Sequence, residues 1–90
     1  MTILKRGTQV ICVPPGANGN KEHADCQIGF LSMDHESTDD IMFVRYWNPT
    51  FTGLRTKANS EATKREYLVF EEYLPQSWVQ EAIDLLLKDG

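Results

Sequence analysis

The chain of 90 residues contains no apolar run approaching the roughly 18 residues that a membrane-crossing helix needs. Its opening stretch, Met1-Thr-Ile-Leu-Lys-Arg6, lacks the apolar core of a secretory signal. Cysteine is scarce, with Cys12 and Cys26 alone. Together these predict a chain without a disulfide framework, working in the reducing cytoplasm and away from membranes. Gly16-Ala-Asn-Gly19 is not followed by the Lys-Ser/Thr that ends a phosphate-binding loop, so nucleotide hydrolysis has no support. Excess positive charge is missing too: the net charge of −4 excludes a surface coated throughout for nucleic acid. At this length the buried core is modest and leaves little room for an enclosed active site.

What is present is the composition of one folded unit. Apolar residues make up 41% and charged residues 24%, ordinary values that exclude wholesale disorder. The charge is segregated: residues 1–40 sum to −3, residues 41–65 to +4 and residues 66–90 to −5. The basic centre holds Arg45, Arg55, Lys57, Lys64 and Arg65 against Glu61 alone. It either attracts an anionic partner or is neutralised by its acidic flanks.

Thr8 to Val13 is short and β-branched and reads as a strand, which Pro14-Pro15 ends by removing the ladder donor. Gly16 to Asn20 opens a long loop. Gln27 to Met33 reads as a second strand, with Gly29 at a bend or bulge. Asp34 to Asp40 is polar and acidic and reads as a solvated hairpin connection, or as an acidic mimic of a phosphate backbone. Ile41 to Trp47 is the strongest strand by β-branched and aromatic content. Leu54 to Ala58 and Glu66 to Phe70 complete five. Such spacing predicts a small antiparallel barrel or two packed curled sheets over residues 1–74.

Residues 75–90 change period. Apolar positions from Trp78 to Leu87, with Ser77 and Gln80 in capping-box spacing, predict a helix over about Trp78–Lys88. Its wide apolar stripe covers the barrel or a partner, a second copy of the chain included. Trp78, Ile83 and Leu86 are the docking residues.

The central hairpin sets the functional reading. With Met42, Val44 and Tyr46 inward beside Leu54, Thr56 and Ala58, the residues Phe43, Arg45 and Trp47 face outward beside Arg55 and Lys57. Like charges across a strand pair repel, so this register predicts an anion near Arg45 and Arg55. Arg45, Trp47, Phe51, Arg55 and Lys57 then form a partner-binding patch, framed by His23 and Asp25 of the long loop. Aromatics among cations suit a protein partner through hot-spot residues, or single-stranded nucleic acid through stacking. Tyr46 and Trp47 as core alone is the plainer alternative. His23, Cys26 and Cys12 are zinc-ligand types, and His23 with Cys26 a nucleophile pair, yet the spacing matches no finger and no triad. No metal, no cofactor and no catalysis are expected.

Val13-Pro14, Ala17-Asn-Gly-Asn20, His23-Ala-Asp-Cys26, Gly29-Phe30, Phe43-Val-Arg-Tyr-Trp47, Gly53-Leu-Arg-Thr56 and Ala58-Asn-Ser-Glu-Ala-Thr63 occur in that order. Over residues 8–70 the pattern resembles a family of small uncharacterised phage and prophage proteins. Many of its members carry His-Pro-Asp-Cys before a Gly-Val/Phe strand; Ala24 stands here in place of the proline. The resemblance implies a mainly β fold, a five-stranded SH3-like (KOW-like) antiparallel barrel with a C-terminal α-helix. It implies phage origin and transfers no activity. By analogy, the expected function is that of an accessory protein that binds a host protein, inhibitors of host defence such as CRISPR-Cas being one such class. A weak nucleic-acid-binding SH3/KOW-like module is the alternative.

Overall fold

The computed structural model describes residues 2–47, 56–57 and 59–89, with side chains through Leu85. Among them the chain forms β1 (Ile3–Leu4), β2 (Gln9–Cys12), β3 (Gln27–Leu31), β4 (His35–Glu36), β5 (Ile41–Tyr46), β6 (Glu61–Lys64), β7 (Leu68–Val69) and α1 (Gln76–Asp89). Five strands pair antiparallel in the order β6-β5-β3-β2-β7, and β1 pairs with β4 apart from them. A long loop joins β2 to β3, and one 3-10 turn, Arg65–Tyr67, separates β6 from β7. The sheet curls into an SH3-like half-barrel, mainly β, with one C-terminal helix.

Alternation along β5 builds two cores. Met42, Val44 and Tyr46 point inward, as their spacing predicts, and meet Val10, Leu31 and Leu68. The Tyr46 hydroxyl is satisfied inside this core by Thr63 Oγ1 at 2.8 Å. On the outer face Phe30 and Trp47 pack edge to face, ring centroids 5.6 Å apart, under Val79, Ala82 and Ile83 of α1. Val79 and Ile83 each contribute about 1.5–3 kcal/mol on burial. That supplies what an isolated helix of this length lacks in water. Trp47, expected on an open outer surface, is therefore buried at 4% exposure. The outward direction is right, and the helix covers it.

Other expectations change for local reasons. The strand expected over Glu66–Phe70 begins with the 3-10 turn and leaves only Leu68–Val69 extended. Glu61–Lys64, a polar stretch by composition, forms the edge strand β6, which needs one inward residue, Thr63, and leaves the rest in water. Asp34–Asp40 is not a fully solvated tip: β4 pairs with β1, and His35 is 7% exposed. Most of Leu54–Ala58 lies outside the described residues, but Thr56 bridges Trp47 and so shares its face. That is one residue off the inward register expected for Thr56. The helix starts at Gln76, which puts Ser77 inside its first turn, with the Trp78 N–H bonded to the Pro75 carbonyl.

Gly29 is no bulge, since pairing runs unbroken through it to Val10 and Tyr46. It is glycine because a Cβ there would lie 2.6 Å from the Arg45 carbonyl oxygen.

One buried polar side chain fixes where α1 lies. Gln9 is 4% exposed on the outer face of β2. Its Oε1 accepts from the Tyr73 and Leu74 N–H groups at 3.0 and 2.9 Å. Its Nε2 donates to the Leu74 carbonyl at 2.7 Å and to Gln76 Oε1 at 3.0 Å. Gln76 Nε2 donates in turn to the Gly7 carbonyl at 3.1 Å. Every donor and acceptor of the Gln9 amide is used to hold the segment that launches the helix.

Two substitutions test this arrangement. Gly29→Ala forces backbone apart between β3 and β5 and is expected to cost about 1–3 kcal/mol or more in urea unfolding. Gln9→Ala orphans two N–H groups and a carbonyl and is expected to cost about 1–3 kcal/mol. It should also shift tryptophan emission to the red as Trp47 loses its cover.

Candidate functional site

The outer face of β5 carries Phe43 and Arg45. Their neighbours are small: Ala62 pairs with Phe43, the Ser32 N–H and hydroxyl both bond the Phe43 carbonyl, and Ser60 lies near Arg45. Small residues on both sides leave Phe43 standing proud at 42% exposure, as its outward register predicts. Phe30 closes the floor, Ile83 of α1 forms one wall, and Met33 and Arg6 close the rim. The result is an open groove of about 370 Å³. Among the described residues its lining includes two guanidinium side chains and no carboxylate.

The groove is braced from behind. His35 stacks on Phe43 with ring centroids 6.1 Å apart. Its Nε2 accepts the Phe43 N–H at 2.9 Å, and its Nδ1 lies 3.0 Å from Asp39 Oδ2. This pattern is that of a ring with the proton on Nδ1, donating to the carboxylate. Asp39 Oδ2 also accepts the Glu36 N–H at 3.1 Å. Asp34 accepts the Arg6 N–H at 2.7 Å and lies 3.9 Å from Lys5 Nζ. Two of the loop's acids thus serve the chain itself.

The residues singled out from sequence divide. Arg45 is half-buried in the groove, its Nη1 donating to the Lys57 carbonyl at 3.0 Å. Lys57 turns away from it, with Nζ on Gln27 Oε1 at 2.6 Å. Trp47 and His23 line a separate hollow of about 370 Å³ under the long loop. His23 Nδ1 accepts the Asp25 N–H at 3.1 Å, so the pair shapes its own loop. Phe51 and Arg55 lie outside the described residues, as does the side chain of Leu86. Ile83 docks the helix onto the sheet, while Trp78 stays 41% exposed. Arg6, Ser32, Met33 and Ser60 carried no signal as site residues in the sequence, because they come from three loop segments that only the fold brings together.

No group of three or more His, Cys, Asp or Glu among the described residues is placed to hold a metal, the trio Cys12, His23 and Cys26 included. Cys26 Sγ donates to the Asn20 carbonyl at 3.3 Å, and both thiols are free. Burial pushes the Cys12 thiol above its ordinary value, which makes it a poor nucleophile.

The site therefore belongs to an SH3-like half-barrel whose outer face is part covered by a helix and part left as an arginine-rimmed apolar groove. Comparison with family models, with curated proteins and with solved structures returns no match.

Alkaline titration checks the inner core. Burial raises Cys12 and Tyr46, the latter far above a free phenol, and raises Tyr73 to about 12 with help from its bond to Glu71. For acids raised in the folded state, stability is full below the unfolded values, about 8.5 for Cys and about 10 for Tyr. It is lost as pH rises toward the folded ones. The urea midpoint is expected to hold to about pH 8 and fall above it. Cys12→Ala should remove the earliest part of that fall, and a flat profile to pH 11 (about one unit past the free phenol) would contradict the burial.

Proposed function

We propose that the chain is a non-enzymatic binding module that docks a protein partner in the groove beside α1. The observation carrying this is an exposed aromatic, Phe43, next to Met33 at 49% exposure, between Arg6 and Arg45. Aromatic, methionine and arginine side chains are the types enriched in the cores of protein interfaces. A small module gains nothing in stability from leaving Phe43 in water, whereas a partner that covers it gains the burial.

The resemblance to phage and prophage proteins adds the class of partner. On that reading the module acts in the host cytoplasm as an accessory protein and engages a host protein, a component of a defence system such as CRISPR-Cas being one such class. The nucleic-acid alternative is the weaker one. Trp47, its intended stacking platform, lies under α1, and Lys57 points to Gln27 rather than joining Arg45 in a basic track.

Affinity capture from host lysate tests the proposal by comparing the wild type with Phe43→Ala, which truncates a half-exposed side chain. Proteins enriched by the wild type and lost with Phe43→Ala are expected. Recovery of the same set by both would remove the groove from the function. Anisotropy with labelled single and double strands at low salt addresses the alternative, since binding through phosphates weakens steeply as salt rises.

A further inference from the structure

We infer that His35 is a pH-sensitive latch on the groove: neutral, it holds the Phe43 backbone in place, and protonated at Nε2 it lets that backbone go. As regulation of docking, this rests on the groove being the docking surface. As a property of the fold, it stands on the hydrogen bonds around one ring.

Both backbone polar groups of Phe43 point towards β3, whose ladder with β5 ends at Leu31. The Phe43 carbonyl accepts the Ser32 N–H at 3.0 Å. Its own N–H lies beyond that ladder and is accepted by His35 Nε2 at 2.9 Å. A side chain thus stands in for a strand partner. An imidazole has one acceptor nitrogen when neutral and none when protonated. His35 commits Nδ1–H to Asp39 Oδ2 at 3.0 Å, so Nε2 is its acceptor. A proton on Nε2 would meet the Phe43 N–H donor to donor, and the two exclude each other. The His35 side chain is 6% exposed, which leaves the added N–H without water unless the ring moves.

The direction follows from what each neighbour does when the latch opens. Asp39 is four residues along, and its Oδ2 also accepts the Glu36 N–H at 3.1 Å. It travels with His35 and favours a charged ring whether or not Phe43 is held. Among the described residues, the other charges on the surrounding segments are Asp34 and Glu36 beside the ring, Asp40 before β5, and Lys5 after β1, 3.9 Å from Asp34. Ile41 to Val44 carries none. The bond that differs between held and released forms is the one to Phe43. The released form therefore binds the proton, and acid favours it.

The element that moves is the ribbon of β1 and β4. Among the described residues these strands pair with each other and neither joins the five-stranded sheet, so the ribbon shifts without breaking a ladder bond. The His35 ring stacks on Phe43, the exposed aromatic of the groove, with centroids 6.1 Å apart. Release therefore disturbs the groove's central side chain, a local change of charge read out by packing.

The test is an NMR titration of the full-length chain from about pH 8 to about pH 5, the interval in which imidazoles charge. It follows the His35 ring nitrogens together with the Phe43 amide resonance and its hydrogen-exchange protection. The wild type is compared with His35→Gln, whose amide oxygen accepts an N–H without titrating, and with His23→Gln, which removes the other histidine. At the alkaline end the ring is expected to carry its proton on Nδ1 alone. As it charges, the Phe43 amide should shift in step and lose protection about tenfold or more, after correction for intrinsic exchange. His23→Gln should reproduce this and His35→Gln should abolish it. A ring that charges while Phe43 keeps its shift and protection would overturn the latch. So would a ring still neutral at the acid end, or a Phe43 titration that persists in His35→Gln. Should His35→Gln fail to fold, the wild type and His23→Gln decide on the same signals.

Capture at about pH 7.5 and about pH 5.5 separates the latch from the docking reading. Proteins held through Phe43 should be lost at the lower pH by the wild type and kept by His35→Gln. Their loss by both or by neither would overturn the regulation of docking. Capture indifferent to Phe43→Ala, with the amide titration as expected, would remove the docking reading and leave the latch standing.

Discussion

The Gln9 amide holds this fold in its particular form. The half-barrel has its own inner core, but α1 packs on the outer face through Val79, Ala82 and Ile83 and begins after a six-residue connection from β7. Something must decide where along that face the helix lies. Gln9 does so by bonding the backbone of Tyr73 and Leu74 and the side chain of Gln76. A buried amide with unused donors would be costly, and one with all of them used is directional. Apolar burial of Val79 and Ile83 supplies the attraction, and the hydrogen bonds supply the address. Gly7 completes it, since its φ of +94° lets the backbone pass beneath the helix with Ile83 close above.

That address determines what remains open. With α1 lying over Phe30 and Trp47, the outer face of β5 is covered at one end and bare at Phe43 and Arg45. The groove is thus the part of the sheet that the helix does not reach, bounded by the helix itself through Ile83. Its depth comes from the small residues Ser32, Ser60 and Ala62, and its orientation from His35, which holds the Phe43 backbone from the β4 side. Open groove and stabilising face are two portions of one strand surface, which is why Trp47 and Phe43, four residues apart, have opposite fates.

Much of this was legible before any coordinates. The two-residue alternation in Ile41–Tyr46 dictates which side chains share a face, and Met42, Val44 and Tyr46 are inside as it requires. The helical period after Pro75 marks α1, and the Pro14-Pro15 pair marks the end of β2. Short edge elements escaped notice: β1, β4 and β6 are two to four residues long, and β4 and β6 are largely polar. Pairing partners, not composition, make them strands. Of the residues expected on the outer surface, Arg45 lines the open groove and Trp47 is buried, because direction along a strand is local and cover is not.

Residue by residue, then, the amino-acid order determined strand direction, the inner core of the half-barrel, the helix and the segregation of charge, all consequences of spacing within a few neighbouring positions. Tertiary structure alone decided that Trp47 is sealed, that Gln9 is a latch rather than a surface amide, and that Arg6, Met33, Phe43 and Arg45 share one groove. Those outcomes depend on contacts between segments tens of residues apart, as with Gln9 and Gln76, and no local pattern encodes which distant surface arrives to cover a given side chain.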